Sequence, residues 1–110
     1  MRREAEVAKQ VHDDTGDPVF LTGDMNEREQ AFCPLTGSAP LQAARGGSHT
    51  DGTCRANDPK YVDWAFGSTQ LTFDGYVEDR GAVNRRTSDH PIVVSDAHID
   101  GSTFASAVQR

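Results

Sequence analysis

The sequence predicts a mixed α/β domain with mainly antiparallel strands, and three observations carry that reading. An amphipathic stretch at helical spacing opens the chain. Two later segments alternate polar and apolar residues with a period of two. Two short apolar runs each adjoin a cluster of acid, amide or imidazole groups, as strands do when they present chemistry at their ends.

The helix covers residues 2–14, where Ala5, Val7, Ala8 and Val11 form a narrow stripe uninterrupted by Gly or Pro. Thr15-Gly16-Asp17-Pro18 stops it, with Gly16 suited to a left-handed cap and Pro18 unable to continue. The run from Val19 to Thr22 is short and rich in β-branched or aromatic residues, which predicts a buried strand. Glu27 to Phe32 reads as a helical turn ended by Cys33-Pro34. Ser38-Ala39-Pro40 and Arg45-Gly46-Gly47 read as loops with room for a short helix between them. His49 to Pro59 is polar without periodicity and reads as loop. From Lys60 to Gly67, Val62, Trp64 and Phe66 fall on one face of a strand, and Tyr61, Asp63 and Ala65 on the other. Leu71 to Val77 alternates similarly and is expected to pair with that strand after a turn at Gly67-Ser68-Thr69. Arg80 to Thr87 reads as a charged loop and Pro91 to Ala97 as the last strand. This leaves one domain over residues 1–98 and a weakly specified tail, 99–110.

Composition narrows the function. Only 35% of the 110 residues are hydrophobic, and ten glycines and five prolines imply many loops. A chain of this size buries roughly 60–70% of its unfolded surface, so the core is expected to be thin. The net charge of −6 argues against a tight, sequence-independent grip on long nucleic acid, which needs a basic stripe. Arg2-Arg3 and Arg85-Arg86 are the only basic pairs. An acidic chain does suit a site for a divalent cation, because carboxylates are ligands of choice for magnesium and manganese. Cys33 and Cys54 are too few for a paired-knuckle zinc site; a disulfide, favouring an oxidising compartment, and two buried thiols remain open. Met1 is followed by charged residues rather than an apolar leader, and no apolar run nears the roughly 20 residues of a membrane span.

Three motifs hold the chemistry. In Gly23-Asp24-Met25-Asn26, the glycine permits a tight exit from the strand, Asp24 can orient a water or accept its proton, and Asn26 can donate to a phosphate oxygen. The plain alternative is an Asp/Asn turn capping its own backbone. In Ser88-Asp89-His90-Pro91, Asp89 is a candidate metal ligand and His90 a general base or cationic phosphate contact; the alternative is a surface pair before an edge strand. Asp63 lies in an otherwise apolar strand, where an unpaired carboxylate costs several kcal/mol. It needs a partner or a solvent-facing position. If His90 is that partner, Asp63 fixes the ring tautomer and raises the basicity of the other nitrogen. The imidazole is then expected within a bridging water's reach of both Asp63 and Asp24.

The three motifs in this order resemble the endonuclease/exonuclease/phosphatase superfamily, the DNase I-like metal-dependent phosphoesterases. The residues that carry the resemblance are Gly23-Asp24-Met25-Asn26, Val62-Asp63-Trp64-Ala65-Phe66 and Ser88-Asp89-His90-Pro91-Ile92-Val93, and it spans roughly residues 2–98. It implies the C-terminal half of a four-layer α/β/β/α sandwich, with hydrolysis of a phosphodiester or phosphomonoester, of nuclease or phosphatase type. It implies catalytic roles for Asp24, Asn26, Asp63 and His90, and magnesium or manganese on Asp89. The superfamily's earlier Asn, metal-binding Glu and phosphate-contacting His have no counterpart here, so the metal is expected to be weakly held. A non-catalytic half-domain is the alternative, associating with itself or a complementary chain through an exposed apolar sheet face. Lys60, Arg85 and Arg86 are the cations nearest the motifs and the candidates for substrate contact, or else solvated loop charges.

Overall fold

A computed structural model describes residues 2–50, 53–57, 62–87 and 89–100. The elements are α1 (Arg2–Thr15), β1 (Phe20–Asp24), α2 (Glu29–Gly37), β2 (Leu41–Ala43), β3 (Gly47–Thr50), β4 (Thr53–Ala56), β5 (Asp63–Ser68), β6 (Thr72–Asp79), α3 (Ala82–Thr87) and β7 (Ile92–His98). Every strand pairing among the described residues is antiparallel, so the mixed α/β class with mainly antiparallel strands is as the sequence predicts.

The helix α1 packs through Ala5 and Ala8, while Val7 and Val11 at the stripe's margin stay largely exposed. Its stop is the expected one: the Gly16 N–H donates to His12 O at 2.9 Å with Gly16 at φ +68°. The core joins these alanines to Val19, to Ala31, Phe32 and Leu35 of α2, to Leu41 and Ala43 of β2, and to Trp64 and Phe66 of β5. Trp64 stacks on Phe66 with centroids 5.1 Å apart and meets Phe32 at 6.0 Å. The alternation from Val62 to Phe66 thus turns its aromatic face inward, as predicted.

Strand β5 is the middle of a three-stranded sheet, order β1-β5-β2. This corrects the expected hairpin between the Asp63 strand and the Leu71–Val77 segment. Both flanks of β5 are already taken by β1 and β2, so β6 pairs instead with β7, from Thr72↔His98 to Asp79↔Ile92. The connection is held away from a tight hairpin by Ser68. Its hydroxyl accepts the Val19 N–H at 2.7 Å, and the Gln42 amide donates to Ser68 O and Leu71 O.

Other expectations fail for tertiary reasons. Leu41–Ala43 is a strand rather than a helix because its residues pair with Ser68, Gly67 and Phe66. The polar stretch after Arg45 forms the β3–β4 pair, and a Cys33–Cys54 disulfide ties β4 to α2. That bond resolves the two open cysteine states and fits an oxidising compartment. Helix α2 runs past Cys33-Pro34 to Gly37. A proline inside a helix costs ~3 kcal/mol, and burial of Phe32 and Leu35, worth about 1.5–3 kcal/mol each, offsets it. Ala82–Thr87 is a short helix where a loop is expected, and Ala82 to Thr87 contains neither Gly nor Pro. β1 is less buried than predicted: as an edge strand it leaves Phe20 half-exposed against Phe73, ring centroids 6.5 Å apart.

On the β6–β7 pair, Val77 and Val94 lie opposite one another, each 53% exposed, with Ile92 exposed further along β7. No helix among the described residues is long and apolar enough to cross a membrane.

Candidate active site

The antiparallel register of β1 and β5 sets Asp24 directly opposite Asp63. Gly23 just before it adopts φ +135°, a backbone conformation that residues with a Cβ rarely take. The Met25 N–H then donates to Val62 O at 2.9 Å and carries the pairing one step further. Asn26 sits in the left-handed region at φ +54°, and its N–H donates to Asp24 Oδ1 at 2.8 Å. Asp24 therefore caps a local turn, as the plain alternative has it, but with one oxygen only. Its Oδ2 lies 4.0 Å from His90 Nε2. Asn26 is exposed beside this turn.

His90 precedes Pro91, which favours extended backbone at the entrance to β7. Its Nδ1 is 2.8 Å from Asp63 Oδ2. With an ionised carboxylate as acceptor, Nδ1 carries the proton and donates it, so Nε2 is the nitrogen that faces outward. Nε2 lies 3.9 Å from Asp89 Oδ1 and 4.0 Å from Asp24 Oδ2. These gaps are too long for direct hydrogen bonds but short enough for one intervening oxygen, from water or a phosphoryl group. The Asp63 hydrogen bond, followed by the Asp63 charge, raises the His90 pKa above its ordinary value; partial desolvation opposes this, and Asp24 and Asp89 add to the rise.

The sequence thus brings together Asp24, Asp63 and His90, with Asp89 alongside at 98% side-chain exposure. Next to them opens a cleft of about 340 Å³ lined by Asp24, Asp63, Trp64, Pro91 and Val93 among others, with no Lys or Arg among the described residues that line it. Arg86 is exposed on α3, while Lys60, Ser88 and the side chain of Arg85 lie outside what is described.

One ligand atom each from Asp24, Asp63 and His90 lie within 4.8 Å of one another. That mixed nitrogen and oxygen set suits manganese or zinc better than magnesium, and His90 already engages the Asp63 carboxylate. Asp89, the residue expected to hold magnesium, lies outside that group, its Oδ1 3.9 Å from His90 Nε2. One or two carboxylates with water and phosphate oxygens is the usual magnesium arrangement, and it holds the ion loosely.

A residue that sequence reasoning missed lies behind the site. Arg45 is buried, its guanidinium 4.1 Å from the Trp64 ring centroid, and Nη2 donates to the Asp63 carbonyl. Glu78 Oε1 is 3.9 Å from it and accepts the Tyr76 hydroxyl at 2.9 Å. Burial, then the bond to Glu78, pushes the Tyr76 phenol up to about 12. A lone arginine before two glycines reads as loop, and no local pattern marks it.

No family model matches this chain, and no curated protein or solved structure matches it either.

Proposed function

We propose that this chain is a metal-assisted phosphoesterase domain of the endonuclease/exonuclease/phosphatase type, hydrolysing a phosphodiester or phosphomonoester by in-line attack of an activated water. One observation carries the reading: His90 meets Asp63 and stands one oxygen's width from Asp24. These residues come from three motifs in the order that superfamily carries them. On this reading the β1-β5-β2 sheet belongs to one half of a four-layer sandwich.

The roles follow from which atoms are already engaged. Asp24 Oδ1 is held by the Asn26 N–H, so Oδ2 is free to orient a water and accept its proton. Asp63 keeps the His90 proton on Nδ1. The raised pKa keeps Nε2 protonated nearer neutrality, where it donates to a phosphoryl oxygen and can pass its proton to the leaving oxygen. The Asn26 amide supplies a further donor to the phosphate. A divalent cation on Asp89 would, when bound, supply neutralisation of phosphate charge.

The test is release of nitrophenol from bis-nitrophenyl phosphate with magnesium or manganese, for wild type, Asp24→Ala and His90→Ala. Turnover that both substitutions abolish is the expected result; turnover unchanged by both overturns the mechanism.

A second reading, a non-catalytic half-domain that pairs with itself or a complementary chain, draws on the exposed Val77, Val94 and Ile92 strip. It predicts no turnover and concentration-dependent association.

A further inference from the structure

A guanidinium carried into an apolar core costs several kcal/mol unless it is paired, so the partners of Arg45 show what its burial achieves. Its side chain is 2% exposed. It lies over Trp64, donates to the Asp63 carbonyl and faces Glu78, with the Tyr76 ring 5.9 Å away. Asp63 and Trp64 belong to β5; Tyr76 and Glu78 belong to β6. Among the described residues these strands lie in separate sheets, with no hydrogen-bonded ladder joining β5 to β6 or β7. Yet the two sheets must hold a fixed distance, because one carries Asp63 and the other follows directly from His90 through Pro91.

We infer that Arg45 is a positioning residue, pinning the start of β5 to β6 so that the Asp63 carboxylate stays within hydrogen-bonding distance of His90 Nδ1. The inference rests on the reading of His90 and Asp63 as the working pair. The planar guanidinium does what a lysine cannot: it stacks on the indole while Nη2 donates to the Asp63 carbonyl and stands at ion-pair distance, 3.9 Å, from Glu78 Oε1. Trp64 serves as its platform, with the indole itself anchored by a 2.9 Å bond from Nε1–H to Glu27 O.

The experiment follows the hydrogen-bonded Nδ1 proton of His90 by NMR in histidine-labelled protein, alongside near-ultraviolet circular dichroism as a check of native packing. Wild type shows a protected ring proton that Asp63→Ala removes. Arg45→Met and Arg45→Lys, natively packed, lose its protection, and with substrate they lower kcat on the order of 100-fold with KM little changed, as an ångström of misplacement does. If the Arg45 variants do not fold, Glu78→Gln takes the test, since it releases the pin from β6 while the guanidinium keeps its indole. A natively packed Arg45→Met, or failing it Glu78→Gln, that retains the protected proton overturns the positioning role and leaves the pair intact. Absence of that proton from wild type, or its survival in Asp63→Ala, overturns the pair and the positioning role together.

Discussion

His90 and Asp63 are 27 positions apart in the chain, and their side chains meet at 2.8 Å. The pairing answers a problem set by the sequence, a carboxylate placed inside a strand whose neighbours are Val62 and Trp64. It also leaves the other ring nitrogen beside two carboxylates, 4.0 Å from Asp24 and 3.9 Å from Asp89.

The first prediction concerns protonation. Asp63 is the leading cause of the raised His90 pKa, so Asp63→Asn moves it back toward the ordinary histidine value of about 6.5. The folded value lies above the unfolded one. The associated stability is therefore fully present below the unfolded pKa and lost as pH rises through the folded one. Ring-proton titration by NMR measures the shift, and urea unfolding across that window shows a fall in wild type that is smaller in Asp63→Asn.

Rates follow the same pair. Given turnover, Asp63→Ala and His90→Ala each lower kcat by about 10²–10⁴-fold, the usual worth of a placed acid or base. The double variant is scarcely worse than either single one, because each substitution already breaks the unit. Single-turnover kinetics on bis-nitrophenyl phosphate checks both statements.

Asp89 separates from these residues by its behaviour with metal. Asp89→Asn raises the magnesium concentration needed for half-maximal rate, while the rate at saturating metal changes less than in His90→Ala. A metal titration of activity that is unmoved by Asp89→Asn removes it from the ion's ligands.

Stability has two anchors that can be tested without substrate. The Cys33–Cys54 disulfide spans 21 residues, and closing a loop of that size contributes about 3 kcal/mol by chain entropy. Cys33→Ala with Cys54→Ala should lower unfolding free energy by that order in urea. Phe66→Ala, at the fully buried centre of β5, should cost about 3–5 kcal/mol.

The exposed valines give the last prediction. If the β6–β7 face is an interface, Val94→Glu abolishes concentration-dependent association in sedimentation equilibrium and leaves circular dichroism unchanged.

What the sequence made legible was local. The helical stripe around Ala5 and Ala8, the stop at Gly16 and the inward face of Trp64 and Phe66 each depend on spacing within a few residues, and each stands. What it hid was set by distant partners. Leu41–Ala43 becomes a strand because β5 offers a free flank, and α2 continues through Pro34 because Phe32 and Leu35 bury. The site divides the same way. Asp24, Asp63 and His90 announce themselves by motif, whereas Arg45 owes its importance to an indole and a glutamate far along the chain.

The split duty of the Asp24 carboxylate makes the choice of replacement decisive. Asparagine keeps an oxygen where the backbone N–H of Asn26 finds its acceptor, yet removes the negative charge that confronts the imidazole. Alanine discards both at once. A difference between these two variants therefore reads out how far the loop's shape depends on that carboxylate, and whatever deficit they share belongs to its charge.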